Sequence, residues 1–135
     1  MSTWGYYTFD NDAAADFAED FLENPNEAVL YEALATAAEE EGQLELEDAS
    51  VALAAAEIVA GILGKPAQDL PAGLVQAITH LDADGDDLRE LAEQAVQVVL
   101  KNSKLQEQRA TGDEYDNWHQ LQQNLLSRLH DADEA

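Results

Sequence analysis

An all-α fold is what this sequence predicts: a single compact bundle of six or seven helices around one buried central helix. Three observations carry that reading. Apolar residues recur at helical spacing in one segment after another, and no run alternates polar and apolar. The stretch 51–63 is apolar except for Glu57, which is the composition of a helix buried nearly all round. Breakers fall between the periodic segments: Asn24-Pro25, Gly42, Gly64 with Pro66, Pro71 and Gly112.

Residues 1–9 hold Trp4, Gly5, Tyr6, Tyr7 and Phe9 and are expected to form a short extended aromatic arm. Such aromatics more often close one end of a core than bind a partner. Asp10, Asn11 and Asp12 supply N-cap chemistry for a first helix. Its stripe is Ala14, Phe17, Ala18, Phe21 and Leu22. For the second helix Asn24 is the expected cap, Pro25 the first helical residue and Glu27 the third. Leu30, Ala33, Leu34, Ala37 and Ala38 form its stripe, and Gly42 is its expected stop.

After a link over 43–48, the central helix is expected over about 49–63. Pro71 opens a fourth helix with Leu74, Val75, Ile78 and Leu81. A fifth carries Leu88, Leu91, Ala92, Ala95 and Val99. Ser103 with Gln106 is a capping box for a short helix around Leu105. The last helix presents Tyr115, Trp118, Leu121, Leu125 and Leu129, and the acidic tail 131–135 is expected to fray.

The length, 135 residues, suits one domain. Leu, Ile, Val and Phe make up 31 residues, above the roughly 20% that marks disorder, so the chain is expected to fold. Its 29 acids against 6 bases give a formal net charge of −23. That balance excludes sequence-independent nucleic-acid binding, which needs Lys and Arg on phosphates. It also argues against an anionic membrane surface. No apolar run reaches the roughly 20 residues of a membrane span. Neither a basic n-region nor an apolar h-region is visible at the N-terminus, so a cytoplasmic location is expected. Without cysteine, disulfides and thiol chemistry are excluded.

The charge is lopsided. Residues 1–64 contain 15 acids and no Lys or Arg; the first base is Lys65. Asp12, Asp16 and Asp20 stand at i, i+4 and i+8, and Glu19 and Glu23 repeat the spacing. Each such like-charge pair destabilises a helix by about 0.2–0.5 kcal/mol. Glu39, Glu40 and Glu41 stand at a helix C-terminus, the unfavourable end of the macrodipole. Local stability does not explain this placement. A salt-rich environment, a cationic partner protein or imitation of nucleic-acid phosphates would.

Two constellations invite chemistry. Asp82, Asp84 and Asp86, with Glu93 eleven residues after Asp82, match calcium-loop positions 1, 3, 5 and 12. Asp87 stands where that loop needs glycine, and Arg89 where it needs an apolar residue. A solvated loop running into a helix N-terminus is the favoured reading, and no metal or other cofactor is expected. Glu57 is the second. A carboxylate in an apolar run needs partners or must turn neutral. It could be a general acid or base, or a metal ligand. The favoured reading is structural, with Glu57 accepting from the arm, for example from the Trp4 indole or a Tyr hydroxyl. His80, His119 and His130 form no metal-ligand spacing, no phosphate-binding glycine loop occurs, and the serines lie in no nucleophile context.

Trp4-Gly5, Phe9, Asn11-Asp12 and Ala15 resemble the opening of a bacterial family known as domain of unknown function 4259. A second likeness is 52–59 with Gly64-Lys65-Pro66, in which Glu57 stands; a third is Ser103, Leu105, Glu107 and Trp118. Ser2 and Tyr7 depart from the family, where glycine is common. The resemblance implies a small helical bacterial protein. It implies no activity, so no functional residue carries over.

The sequence therefore leads to a non-catalytic interaction module: an inhibitor, antitoxin or immunity-like partner of a basic protein. Its acidic surface would comprise Asp16, Asp20, Glu23, Glu39, Glu40 and Glu41. Calcium binding through 82–93 and an enzyme built on Glu57 are the alternatives.

Overall fold

The computed structural model describes residues 12–24, 26–40, 42–64, 72–80, 85–110 and 115–132. Seven helices occupy them: α1 (Asp12–Glu23), α2 (Glu27–Ala38), α3 (Leu46–Ile62), α4 (Ala72–His80), α5 (Gly85–Lys101), α6 (Lys104–Ala110) and α7 (Tyr115–Ala132). No strand appears among them beyond one isolated bridge between Leu44 and Ser103. None of the described helices is long and apolar enough to cross a membrane.

Helix α3 is the axis of the bundle. It touches each of the other six helices, and residues 52–60 are buried without interruption. The sequence explains how this is possible. Ala52, Ala54, Ala55, Ala56 and Ala60 let neighbours approach closely, while Leu53, Ile58 and Val59 supply apolar bulk. The helix ends where expected: Gly64 adopts φ +87°, and its N–H donates to Gly61 O at 3.0 Å.

The other helices each turn one stripe inward. From α1 come Ala14, Ala18 and Phe21; from α2, Leu30, Leu34 and Ala37; from α5, Leu88, Ala92, Ala95, Val96 and Val99. Helix α7 adds Trp118, Leu125 and Leu129. These agree with the spacing, except that Leu22 and Val75 are exposed and Phe17, Ala33, Ala38, Ile78, Leu91, Tyr115 and Leu121 only half-buried.

Three boundaries move. The α2 cap is Asn26, not Asn24; its side chain accepts from the Ala28 N–H at 2.8 Å, two residues later than read. That helix stops at Ala38 rather than running toward Gly42, with the Glu39 N–H returning to Ala35 O at 2.9 Å. Helix α3 begins at Leu46, because Glu47 and Asp48 belong to its first turn, where negative charge favours a helix N-terminus.

The link before α3 is tied across the bundle. Leu44 donates to Asn102 O at 3.1 Å and accepts from the Lys104 N–H at 2.9 Å. Gln43 donates to Glu107 at 2.7 Å, and Lys104 pairs with Glu45 at 3.0 Å. The Ser103 cap forms as expected: its hydroxyl oxygen accepts from the Gln106 N–H at 3.0 Å and donates to Val99 O at 2.6 Å. Residues 1–11, hence the aromatic arm with Trp4, Gly5, Phe9 and Asn11, lie outside the described residues. So do Glu41, Asp82, Asp84 and residues 133–135 of the tail, whereas residues 131–132, expected to fray with it, continue α7.

Candidate functional site

Glu57 stands in the middle of α3 and is 1% exposed. Its partner is Arg128 of α7, brought alongside because α7 packs on α3. The guanidinium meets the carboxylate fork to fork. Nη1 donates to Oε2 at 3.1 Å and Nη2 to Oε1 at 3.0 Å. Arg128 Nε donates to Asn124 Oδ1, one turn back on α7, at 2.7 Å. Bidentate geometry of this kind is among the stronger forms of charge-assisted hydrogen bond.

Reading the sequence pointed Glu57 at the aromatic arm, which lies outside the described residues; among the described residues its partner is a guanidinium from the far end of the chain. The carboxylate is closed: it is inaccessible to solvent, and both its oxygens accept from a fixed cation. A group so held serves to join α3 to α7. A signal for Arg128 did exist in the sequence. It is the only Lys or Arg after Arg109, it neighbours Leu129, and Glu57 is the only charge in its own apolar run.

The acids of α1 and α2 are arranged differently. Asp16, Glu19, Asp20 and Glu23 on α1, Glu32 on α2, and Glu39 and Glu40 just beyond it are exposed. Asp12 opens α1. Neither α1, α2 nor α3 has a base in its last turn. Three of the described bases are engaged elsewhere. Arg89 pairs with Glu93 at 3.2 Å, Lys104 with Glu45 and Arg128 with Glu57. Lys101 is exposed and makes no ion pair among the described residues. None of these pairs involves an acid of α1 or α2. The Glu40 carboxylate folds back to accept the Gly42 N–H at 2.9 Å.

The segment 82–93 does not have the course of a calcium loop over its described part. Helix α5 begins at Gly85, so Asp86 is already on a helix. Glu93 is seven residues beyond Asp86, roughly 10 Å along the axis. Its carboxylate is engaged by Arg89 at 3.2 Å and stands 3.8 Å from His130 Nδ1. Among the described residues no three His, Asp or Glu side chains gather as a metal site. His119 is half-buried against the Tyr115 ring at a centroid distance of 5.6 Å.

One residue escaped the sequence reading altogether. Gln122 on α7 is fully buried, and neither its amide nitrogen nor its oxygen has a hydrogen-bond partner among the described residues. Trp118, Gln122, Leu125 and Leu129 share the inward face of α7, so the stripe passes through Gln122 rather than Leu121.

The family model described as "Domain of unknown function (DUF4259)" matches residues 2–121, and the chain belongs to that family. No curated protein and no solved structure matches it.

Proposed function

We propose that this member of the family is a non-catalytic interaction module, an inhibitor, antitoxin or immunity-like partner that binds a basic protein through the exposed carboxylates of α1 and α2. One observation carries the reading. Asp16, Glu19, Asp20, Glu23 and Glu39 face solvent with no cation paired to them among the described residues, while Arg89, Lys104 and Arg128 are paired elsewhere. A field of one sign steers an oppositely charged protein and sets orientation on encounter. Glu57 supports a non-catalytic reading, since its carboxylate is paired fork to fork with Arg128 and only 1% exposed.

The test is capture from the native lysate by the tagged chain at low and high salt. A basic protein should be recovered at low salt and released at high salt. The variant Asp16→Asn/Asp20→Asn/Glu23→Gln should lose it. Recovery of no basic protein at low salt, or equal recovery by the variant, overturns the reading.

A further inference from the structure

We infer that the groove between α1, α2 and α3 seats one lysine side chain of the basic partner, an inference that rests on the interaction reading above and gives it a specific contact. The groove encloses about 230 Å³. That is less than the ~300–1,000 Å³ of pockets for drug-sized ligands, and fits one long side chain. Its apolar lining comes from Phe17 of α1, Val29 and Ala33 of α2, and Val51 of α3. Its polar groups are Glu32, Thr36 and Asp48.

All three polar groups are acceptors. Glu32 and Asp48 are carboxylates with no ion pair among the described residues. The Thr36 hydroxyl has already given its proton to Glu32 O, at 2.9 Å, leaving lone pairs. An occupant that satisfies them must bring donors and positive charge without an acceptor of its own. Above the titration range of histidine, Lys and Arg side chains do this. The carboxylates come from two different helices, which suits an ammonium with three rotatable donors. Arginine's rigid planar fork suits a single carboxylate. The four apolar residues match the aliphatic stem, which lies along apolar surface while the charged head reaches polar groups.

The test is amide NMR of the whole chain titrated with Nα-acetyl-lysine methylamide, with the norleucine and arginine analogues in parallel. The lysine analogue should give saturable shifts centred on Thr36, Asp48 and Val51. Norleucine, which has the stem without the charge, should give none there. The variant Glu32→Gln/Asp48→Asn should bind about tenfold more weakly, the scale of a lost charge-assisted hydrogen bond. Non-saturating shifts spread over α1, an equal response to norleucine, tighter binding of the arginine analogue, or unchanged binding by the variant each overturn the proposal. Lysate capture separates the two claims. If Glu32→Gln/Asp48→Asn keeps the basic partner while the α1 variant loses it, the groove assignment fails and the interaction reading stands. If the unaltered chain captures no basic protein yet binds the lysine analogue saturably, the interaction reading fails and the groove's affinity stands.

Discussion

Replacing Arg128 by methionine should cost this protein about 3–5 kcal/mol of folding stability, the usual cost of stripping one partner from a buried ion pair. The value follows from burial. Glu57 is 1% exposed, so its charge loses the paired cation in a place largely shut from water when the guanidinium goes. Arg128 is 14% exposed and can turn its head toward solvent when the carboxylate is removed. Glu57→Gln should therefore cost less than Arg128→Met. Domains of this size are held by about 5–15 kcal/mol in all. The Arg128 variant thus loses a fifth of that or more, and its melting midpoint should fall by on the order of 10–20 °C.

The assay is urea unfolding followed by circular dichroism for the parent, Glu57→Met, Arg128→Met and the double variant. The double variant should recover most of the loss, because an apolar pair of similar volume replaces the ions without leaving a charge behind. The cycle isolates the coupling between the two side chains. A cost below about 1 kcal/mol for Arg128→Met, or a double variant as unstable as the two singles added, would refute the assignment of Glu57 and Arg128 as a mutually dependent pair.

Three further outcomes follow from the packing. Gln122→Met should stabilise the protein by about 1–3 kcal/mol, because it removes two buried polar atoms that find no hydrogen bond among the described residues and keeps the side-chain length; a destabilised variant in thermal unfolding would mean the amide has a partner. Ser103→Ala should cost about 1 kcal/mol through loss of the α6 cap and of the bond to Val99 O, read as a lower urea midpoint at constant slope. The melting temperature should rise with moderate sodium chloride, since screening acts first on exposed like charges; a midpoint indifferent to salt would contradict the repulsion assigned to α1 and α2.

The fold was legible where one periodicity decided it. The stripes of α1, α2, α5 and α7 follow from apolar spacing, and α3 from an apolar run too short for a membrane and too continuous for a surface helix. Gly64 marked the end of α3 because a left-handed residue there suits glycine. Cap positions were less legible. Asn24 and Asn26 are the same residue type two positions apart, and only the backbone conformation of Asn26 decides between them. The Glu57–Arg128 contact was half legible. Each residue is anomalous in its own segment, but no local rule joins positions 71 apart in sequence. Gln122 was hidden by Leu121, a better core residue one step away, because the helix rotation set by Trp118 and Leu125 decides which of the two turns inward.

The acids of α1 permit an argument about cost that bears on their role. The pairs Asp12–Asp16, Asp16–Asp20 and Glu19–Glu23 each oppose the helix by about 0.2–0.5 kcal/mol. Burying the Phe21 side chain alone is worth about 1.5–3 kcal/mol, and Ala14 and Ala18 are buried beside it. Packing against α3 therefore exceeds the repulsion between the α1 acids. A partner is not needed to hold the helix together, so stability and binding can be separated. Asp16→Asn/Asp20→Asn should raise the unfolding free energy by on the order of 0.5–1 kcal/mol, read as a higher urea midpoint at constant slope, and it should weaken capture of the basic partner. The two effects have opposite signs. A purely structural acid would lose stability on neutralisation, and an acid serving only solubility would leave capture unchanged. A variant that is less stable, or that captures the partner as well as the parent does, would remove α1 from the interaction surface.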